Sequence, residues 1–508
     1  MEKNSSKEYE ETMGLVDMNH LRYEMVESVC ATSSSNRNIC NFNPNSYNNV
    51  TGSEQLSVLF NVGSSYTDGQ KSMLQVTLTV NVPGEDSAKF FAFGNNILRN
   101  ADGSSAINSG GSLLNLISEV NHASKSGDLL YRELYKNQTQ TTSRLYQIDK
   151  SRRGYLGTAG GCQEKSGKFE FPIFPVNQPV TLELPLCELA AFFNTSQLIP
   201  PQLLSGSLLR LTIAPVSSAL VFYDSTGNVL VASAPASLNL SFKNVLLYLH
   251  QSELYDSVNS LLLASAQSAE TNGLQFCYNT VFNTIVNPSA PSFSFDIQLS
   301  CAKMSHLILK FIPKNPWRGY IEGAGADAGV APNKYDPMAA ANLIDLNGGV
   351  ASAGSGDANS LGFTMQVRLG NLIMPLFPVS SATDMFQQTS NTLNPISYSG
   401  CQDPDPLKVI NKLQGGVLSY SEYSRVARAP VLAPQTRTAY GVGTGGCLFA
   451  FSFERASAVN IGSLSSNNAR ILSVEVNNMA RASDFQCIAS VCYLQVTNVS
   501  NENVVINK

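Results

Sequence analysis

The sequence predicts an all-β protein built as two β-sandwich halves in tandem. Three observations carry this reading. Period-two alternation of apolar and polar residues dominates the chain, long helical patterns are few, and the alternating runs fall into two groups of similar length. With 508 residues the chain is too long for one core.

The first clear strand pattern places Leu74, Val76, Leu78, Val80 and Val82 on one side and Gln75, Thr77, Thr79 and Asn81 on the other. The same rhythm returns at Leu238, Leu240, Phe242 and at Phe293, Phe295, Ile297, Leu299. It recurs at Leu307, Leu309, Phe311, at Phe449, Phe451, Phe453, at Leu472, Val474, Val476, and finally at Cys492, Leu494, Val496. Alternation of this kind belongs to antiparallel sheets with one buried face, hence to sandwiches and not to parallel α/β folds. Helical character is expected only in part of 129–148 and in Ser252–Ala264. The segments 322–358, rich in Gly, Ala, Ser and Asn, and 378–445 read as long loops.

The expected layout is an N-terminal arm (1–44), a first β domain (45–250), a connecting helical segment (251–274) and a second β domain (275–508). Each domain is of a size natural for an eight-stranded jelly roll with long loops. Alternation and size by themselves show two β-rich halves.

Charged residues make up only 14% of the chain, against about 25% in ordinary soluble domains. Such a surface is either buried in partners or made polar by Ser, Thr, Asn and Gly. The net charge is −5, of which −4 comes from residues 1–28, with seven acidic and three basic side chains. A nearly neutral body argues against direct, sequence-specific nucleic-acid binding. The arm reads either as an amphipathic helix through Met13, Val16, Leu21 and Met25, docked on a neighbouring subunit, or as an acidic tail. The ten cysteines contain no CxxC pair, and the opening residues are acidic and polar, so buried reduced thiols in an intracellular product are expected. Cys187, Cys447 and Cys492 fall within apolar strand patterns, where a thiol acts as a small hydrophobe.

No motif for chemistry survives its structural context. Gly441-Val-Gly443-Thr-Gly445-Gly446 runs into the alternating stretch Cys447–Phe453, whereas a dinucleotide site must open a helix. Gly167-Lys168 lacks the first glycine of a phosphate loop, where Cys162 stands, and has Phe169 in place of the hydroxyl. His20, His122, His250 and His306 are each alone, without ligand spacing, and His250 and His306 read as satisfied or surface imidazoles. Asp403-Pro-Asp405-Pro is a solvated loop before it is a carboxylate pair, and Lys150, Arg152 and Arg153 suit an intersubunit ion pair. No catalytic, cofactor-binding or metal-ligating residue is assigned, no cofactor is expected, and the protein is not expected to be an enzyme.

The most informative stretch is 181–215. An alternating strand (Leu182, Leu184, Leu186) leads to an apolar turn carrying Phe192-Phe193, then to a corner at Pro200-Pro201, then to a strand with Leu209, Leu211 and Ile213 inward. This stretch resembles the strand, short helix, LPxxLL, strand element of double jelly-roll major capsid proteins. The segments 53–82, 112–148, 238–256 and 448–477 are similar to other strands of that family, in the same order. The order looks most like capsid proteins of polinton-like viruses and virophages, within the lineage of large eukaryotic DNA viruses. The FNHPVKELxW motif of the giant-virus branch is absent, and IQLSCAKMSHLILKFIP (297–313) stands in its region.

The resemblance implies an all-β fold of two tandem eight-stranded jelly-roll barrels with short helices and long loops, and a structural virion protein that forms homotrimers, pseudo-hexagonal capsomers and an icosahedral capsid. Its implied partners are neighbouring capsomers, a single jelly-roll penton protein, other minor capsid proteins and a possible internal membrane. The competing readings are a two-lobed β-sandwich carbohydrate-binding or adhesin protein and a β-sandwich glycosidase. The single tryptophan, Trp317, suits sugar stacking poorly, and no pair of positioned carboxylates supports the glycosidase.

Overall fold

The computed structural model describes most of residues 55–137, 159–252, 274–313, 360–393, 448–453 and 471–499, with the short strands 34–39 and 504–507. Sixteen strands form two successive sets of eight. The first set is β1 (Ser34–Ile39), β2 (Gln55–Leu59), β3 (Tyr66–Asn81), β4 (Ile117–Ala123), β5 (Leu129–Leu134), β6 (Pro179–Pro185), β7 (Leu208–Ile213) and β8 (Asn239–Ser252). The second is β9 (Leu274–Val286), β10 (Phe293–Ile297), β11 (Met304–Pro313), β12 (Ser360–Leu369), β13 (Leu372–Ser381), β14 (Leu448–Ser452), β15 (Leu472–Asn477) and β16 (Phe485–Val499).

Both sets pair in the same way. The first forms sheets ordered β1-β8-β3-β6 and β2-β7-β4-β5, and the second β9-β16-β11-β14 and β10-β15-β12-β13. All of these pairings are antiparallel. Counted within its own set, each unit reads first-eighth-third-sixth in one sheet and second-seventh-fourth-fifth in the other. That is the two-Greek-key order of a jelly roll, so the chain is a double jelly roll. Strand β1 lies within residues 1–44, the stretch expected to be an arm. Residues 504–507 add a further strand to β16.

Each strand forms where the alternation places it. Leu74, Val76, Leu78, Val80 and Val82 are buried, while on the opposite face of β3 Thr77 meets Thr181 at 3.0 Å and Gln75 donates to Glu183 at 2.8 Å. Leu307, Leu309 and Phe311 of β11, Phe449, Phe451 and Phe453 around β14, and Leu472, Val474 and Val476 of β15 build the second core. In β10 only Ile297 is fully buried; Phe293 and Phe295 stack on each other at its margin.

One expectation is narrowed and three are corrected. Within 129–148, where part was expected to be helical, 129–134 is strand β5, paired with β4 as the edge of a sheet, and the last described residues, Lys136 and Asn137, are helical. Beyond them, 138–148 lie outside the described residues. In β16 the inward set is Val491, Tyr493, Gln495, Thr497 and Val499, while Cys492, Leu494 and Val496 are half-buried. The reason is that the polar members of this face are satisfied inside: Thr497 donates its hydroxyl proton to the Tyr278 hydroxyl at 3.4 Å. The loop expected over 378–445 begins as the end of β13 and a helix, α3 (Ala382–Leu393), whose start is capped by the Ser381 hydroxyl accepting the Asp384 N–H. Cys187 sits in a one-turn helix, α1 (Leu186–Leu189), and not in a strand. Its thiol faces the carbonyl of Gln70 at 3.8 Å.

The segment 181–215 forms the predicted junction between two strands, β6 and β7. Between them lie α1, a 3₁₀ turn at Ala191–Phe193 and a second one-turn helix, α2 (Pro201–Leu204). Pro200 holds an extended cap conformation and Pro201 takes the first helical position, where a missing N–H costs nothing. The arm residues 1–28, the connector 253–273, the segment 322–358 and the remainder of 378–445 lie outside the described residues.

Candidate functional site

Among the described residues the chemistry-bearing positions do not converge. Lys168 begins a short strand in which it pairs with Lys165, so it does not open a helix, and Gly167 lies outside the described residues. Residues 441–446, Asp403, Asp405, Lys150, Arg152, Arg153 and His20 lie outside the described residues. Among the described residues no group of three or more His, Cys, Asp or Glu side chains is placed to hold a metal. Cys187, Cys277, Cys301, Cys487 and Cys492 are not in disulfides, and burial pushes the Cys492 thiol up to about 12.

His122 is the most perturbed imidazole. It is fully buried on β4, packed against Phe192, Phe193 and Phe60 with ring centroids 4.7, 5.5 and 5.5 Å away. The Ser207 hydroxyl donates to the Leu204 carbonyl at 2.7 Å, so its oxygen accepts from His122 Nε2–H at 2.9 Å. The ring is therefore the neutral Nε2–H tautomer with Nδ1 among aromatic rings. Burial lowers its pKa to about 3, and the half-buried His306, whose Nδ1 lies 2.9 Å from the Ser305 hydroxyl, is lowered by burial to about 4.

For His122 the unfolded chain binds the proton more tightly. Its stabilising contribution is therefore complete above pH 6.5 and is lost as pH falls towards 3. The expected slope is about 1.4 kcal/mol per pH unit per proton. A His122→Gln variant, which keeps an amide donor for Ser207, should show a flatter stability profile between pH 6 and 4 in urea titrations, on the order of half the wild-type slope because His306 remains. Parallel profiles would contradict this assignment.

What the fold does bring together is a junction between the two rolls. Phe276 and Tyr278 project from β9, a strand of the second roll's sheet, yet they join the first roll's core. Phe192 is ringed by His122, Phe193 (5.0 Å), Tyr278 (4.8 Å) and Phe276 (5.5 Å). Directly behind, Gly69 passes so close that a Cβ there would lie 2.6 Å from the Phe193 carbonyl oxygen. The pair Phe192-Phe193, which the sequence marks as a packing element, is thus the hub between the rolls.

Polar contacts complete the junction. The Tyr278 hydroxyl donates to the carbonyl of Leu130 and the Asn283 amide donates to that of Leu134, both on β5. Thr195 donates to the Cys277 carbonyl at 3.5 Å, and the Cys277 N–H donates to Gln197 at 3.1 Å. Immediately past β5, Tyr135 adopts a left-handed backbone (φ 55°) and turns the chain so that Lys136 folds back onto Glu133. The Lys136–Glu133 distance is 2.7 Å and the side chains are 2% and 1% exposed; the Tyr131 hydroxyl donates to the same carboxylate oxygen at 2.5 Å. Burial, reinforced by the neighbouring carboxylate, raises the Tyr131 pKa and keeps the phenol a donor.

The arrangement has a direction. The fifth strand of the first roll, β5, an outer strand of its sheet, lies against the first strand of the second roll, β9, also an outer strand. The corresponding outer strands at the opposite ends, β13 and β1, each pair on one side only among the described residues.

No family model matches the chain, and no curated protein matches it. Solved structures do. VP54 of PBCV-1, in a structure in which it is fitted into a cryo-EM reconstruction of the virophage Sputnik, is 10% identical, with 93% of this chain and 95% of that chain covered at a TM-score of 0.50. The Faustovirus major capsid protein is 9% identical, with 93% and 90% covered, also at 0.50. Identities this low establish a shared fold, two jelly rolls in one chain over nearly the full length of both.

Proposed function

We propose that the chain is the major structural subunit of an icosahedral viral capsid. Three copies would assemble into a pseudo-hexagonal capsomer, and capsomers would tile the shell. The observation that carries this reading is the repeated strand order. A chain holding two copies of one fold can occupy two positions of a six-fold pattern, so three chains complete it. The similarity in fold to the PBCV-1 capsid chain and to the Faustovirus major capsid protein supports it. A low charge content fits a surface that is mostly buried against copies of itself, since obligate interfaces deplete charged residues at their cores.

On this reading the protein acts in the virion and assembles inside the host cell, with no catalytic role. Its partners are two further copies, neighbouring capsomers, single jelly-roll penton proteins and other minor capsid proteins, with a membrane beneath the shell as a further contact. Many weak contacts between trimers would make facet growth cooperative and correctable. The purified protein should run in light scattering as three chains of 54.7 kDa, about 164 kDa, and show hexagonal outlines in negative stain. A stable monomer at micromolar concentration would refute the reading.

A further inference from the structure

We propose that an apolar bulge on β13, presenting Leu376 and Phe377, is the anchor by which one copy grips the β1 edge of the first roll of the next. This inference rests on the trimeric reading above and specifies its interface.

Along the β12–β13 ladder, Val367 pairs with Met374 while Met365 pairs with Val379, so Pro375–Pro378 are looped out of register. The Gln366 amide, itself nearly buried, donates to the carbonyls of Pro375 and Leu376 at 3.2 and 3.3 Å and clamps the bulge from behind. The clamp turns the side chains of Leu376 and Phe377 outwards, 73% and 79% exposed, the two most exposed large apolar side chains among the described residues. Prolines on either side deny the outer edge two N–H donors, which prevents indiscriminate strand pairing. An edge protected against pairing while displaying leucine and phenylalanine is suited to side-chain anchoring, not to sheet extension.

The occupant follows from the junction already inside the chain. There the fifth strand of one roll lies against the first strand of the next, and the contact is head-to-tail. A heterologous contact of this kind repeats until the ring closes. Its next repetition sets the fifth strand of the second roll, β13, against the first strand of a first roll, β1, which must belong to another copy. Among the described residues both strands are the outer members of their sheets and pair on one side only.

The test uses the full-length chain. A Leu376→Ser/Phe377→Ser double variant should keep its circular dichroism and thermal unfolding, because both side chains are exposed. Its trimer should need about 100-fold or more protein to form than wild type in light scattering. Trimers at wild-type concentrations would overturn the anchor and leave the capsid reading standing; a monomeric wild type would overturn the reading and the anchor together. Benzoylphenylalanine in place of Phe377 gives a second readout that does not depend on trimer stability. Irradiation should cross-link it to a different chain at or beside residues 34–39, and cross-links confined to its own chain or to a neighbour's second roll would overturn the assignment.

Discussion

A Phe192→Ala variant should lose about 3–5 kcal/mol of stability, the range for truncating a fully buried phenylalanine. Each lost aromatic pair adds about 0.5–1.5 kcal/mol beyond area burial, and Phe192 makes four ring contacts. The site is unable to collapse easily, because Gly69 and the Phe193 backbone are already in close approach on one side. Two of the rings, Phe276 and Tyr278, come from a strand of the second roll, so the loss falls on both rolls at once. In calorimetry the variant should show an earlier and split transition where the wild type unfolds with the rolls coupled. Phe293→Ala, at a half-buried site stacked on Phe295 at the margin of the second core, should cost no more than about 1–2 kcal/mol with no splitting. Equal losses at the two positions would show that Phe192 is ordinary core and not a hub.

The contrast between these two phenylalanines also shows what the sequence made legible. Alternation identified the strands containing Leu74, Leu309, Phe449 and Val474 and their buried faces, because a strand with one wet face writes its orientation into every second residue. The eight-stranded order came from the family resemblance and not from the alternation, since pairing such as β3 with β8 joins residues far apart in the chain. Strand β16 misled because its inward face holds Gln495 and Thr497, polar groups that the junction satisfies. Helix α3 had a readable start in Ser381-Ala-Thr-Asp384, but the surrounding polar composition suggested a loop. Phe192-Phe193 stood out as apolar, yet nothing local tells a core pair from one that meets a second domain. The bulge at Pro375–Pro378 was not read from the sequence, because its anchoring face depends on Gln366 and on the register of β12.

Glu133 is the second position at which a single change should be severe. Its spacing from Lys136 resembles the turn-to-turn pair of an exposed helix, which would be worth a few tenths of a kcal/mol. In the fold the pair is buried beside the inter-roll junction, at 2.7 Å, with the Tyr131 hydroxyl on the same oxygen. Glu133→Ala removes the carboxylate and leaves the Lys136 ammonium buried without it, a cost of about 3–5 kcal/mol. The Glu133→Leu/Lys136→Met double variant should recover most of that loss, because replacing both charges by apolar groups of similar size removes the desolvation penalty along with the attraction. Urea unfolding of wild type, single and double variants reads the difference directly. Asn283 of β9 donates to Leu134, next in sequence to Glu133, so the single variant should also loosen the contact between the rolls. If the single and double variants are equally destabilised, the pair acts through shape and packing, and the buried charge has no separate role in holding β5 against the second roll.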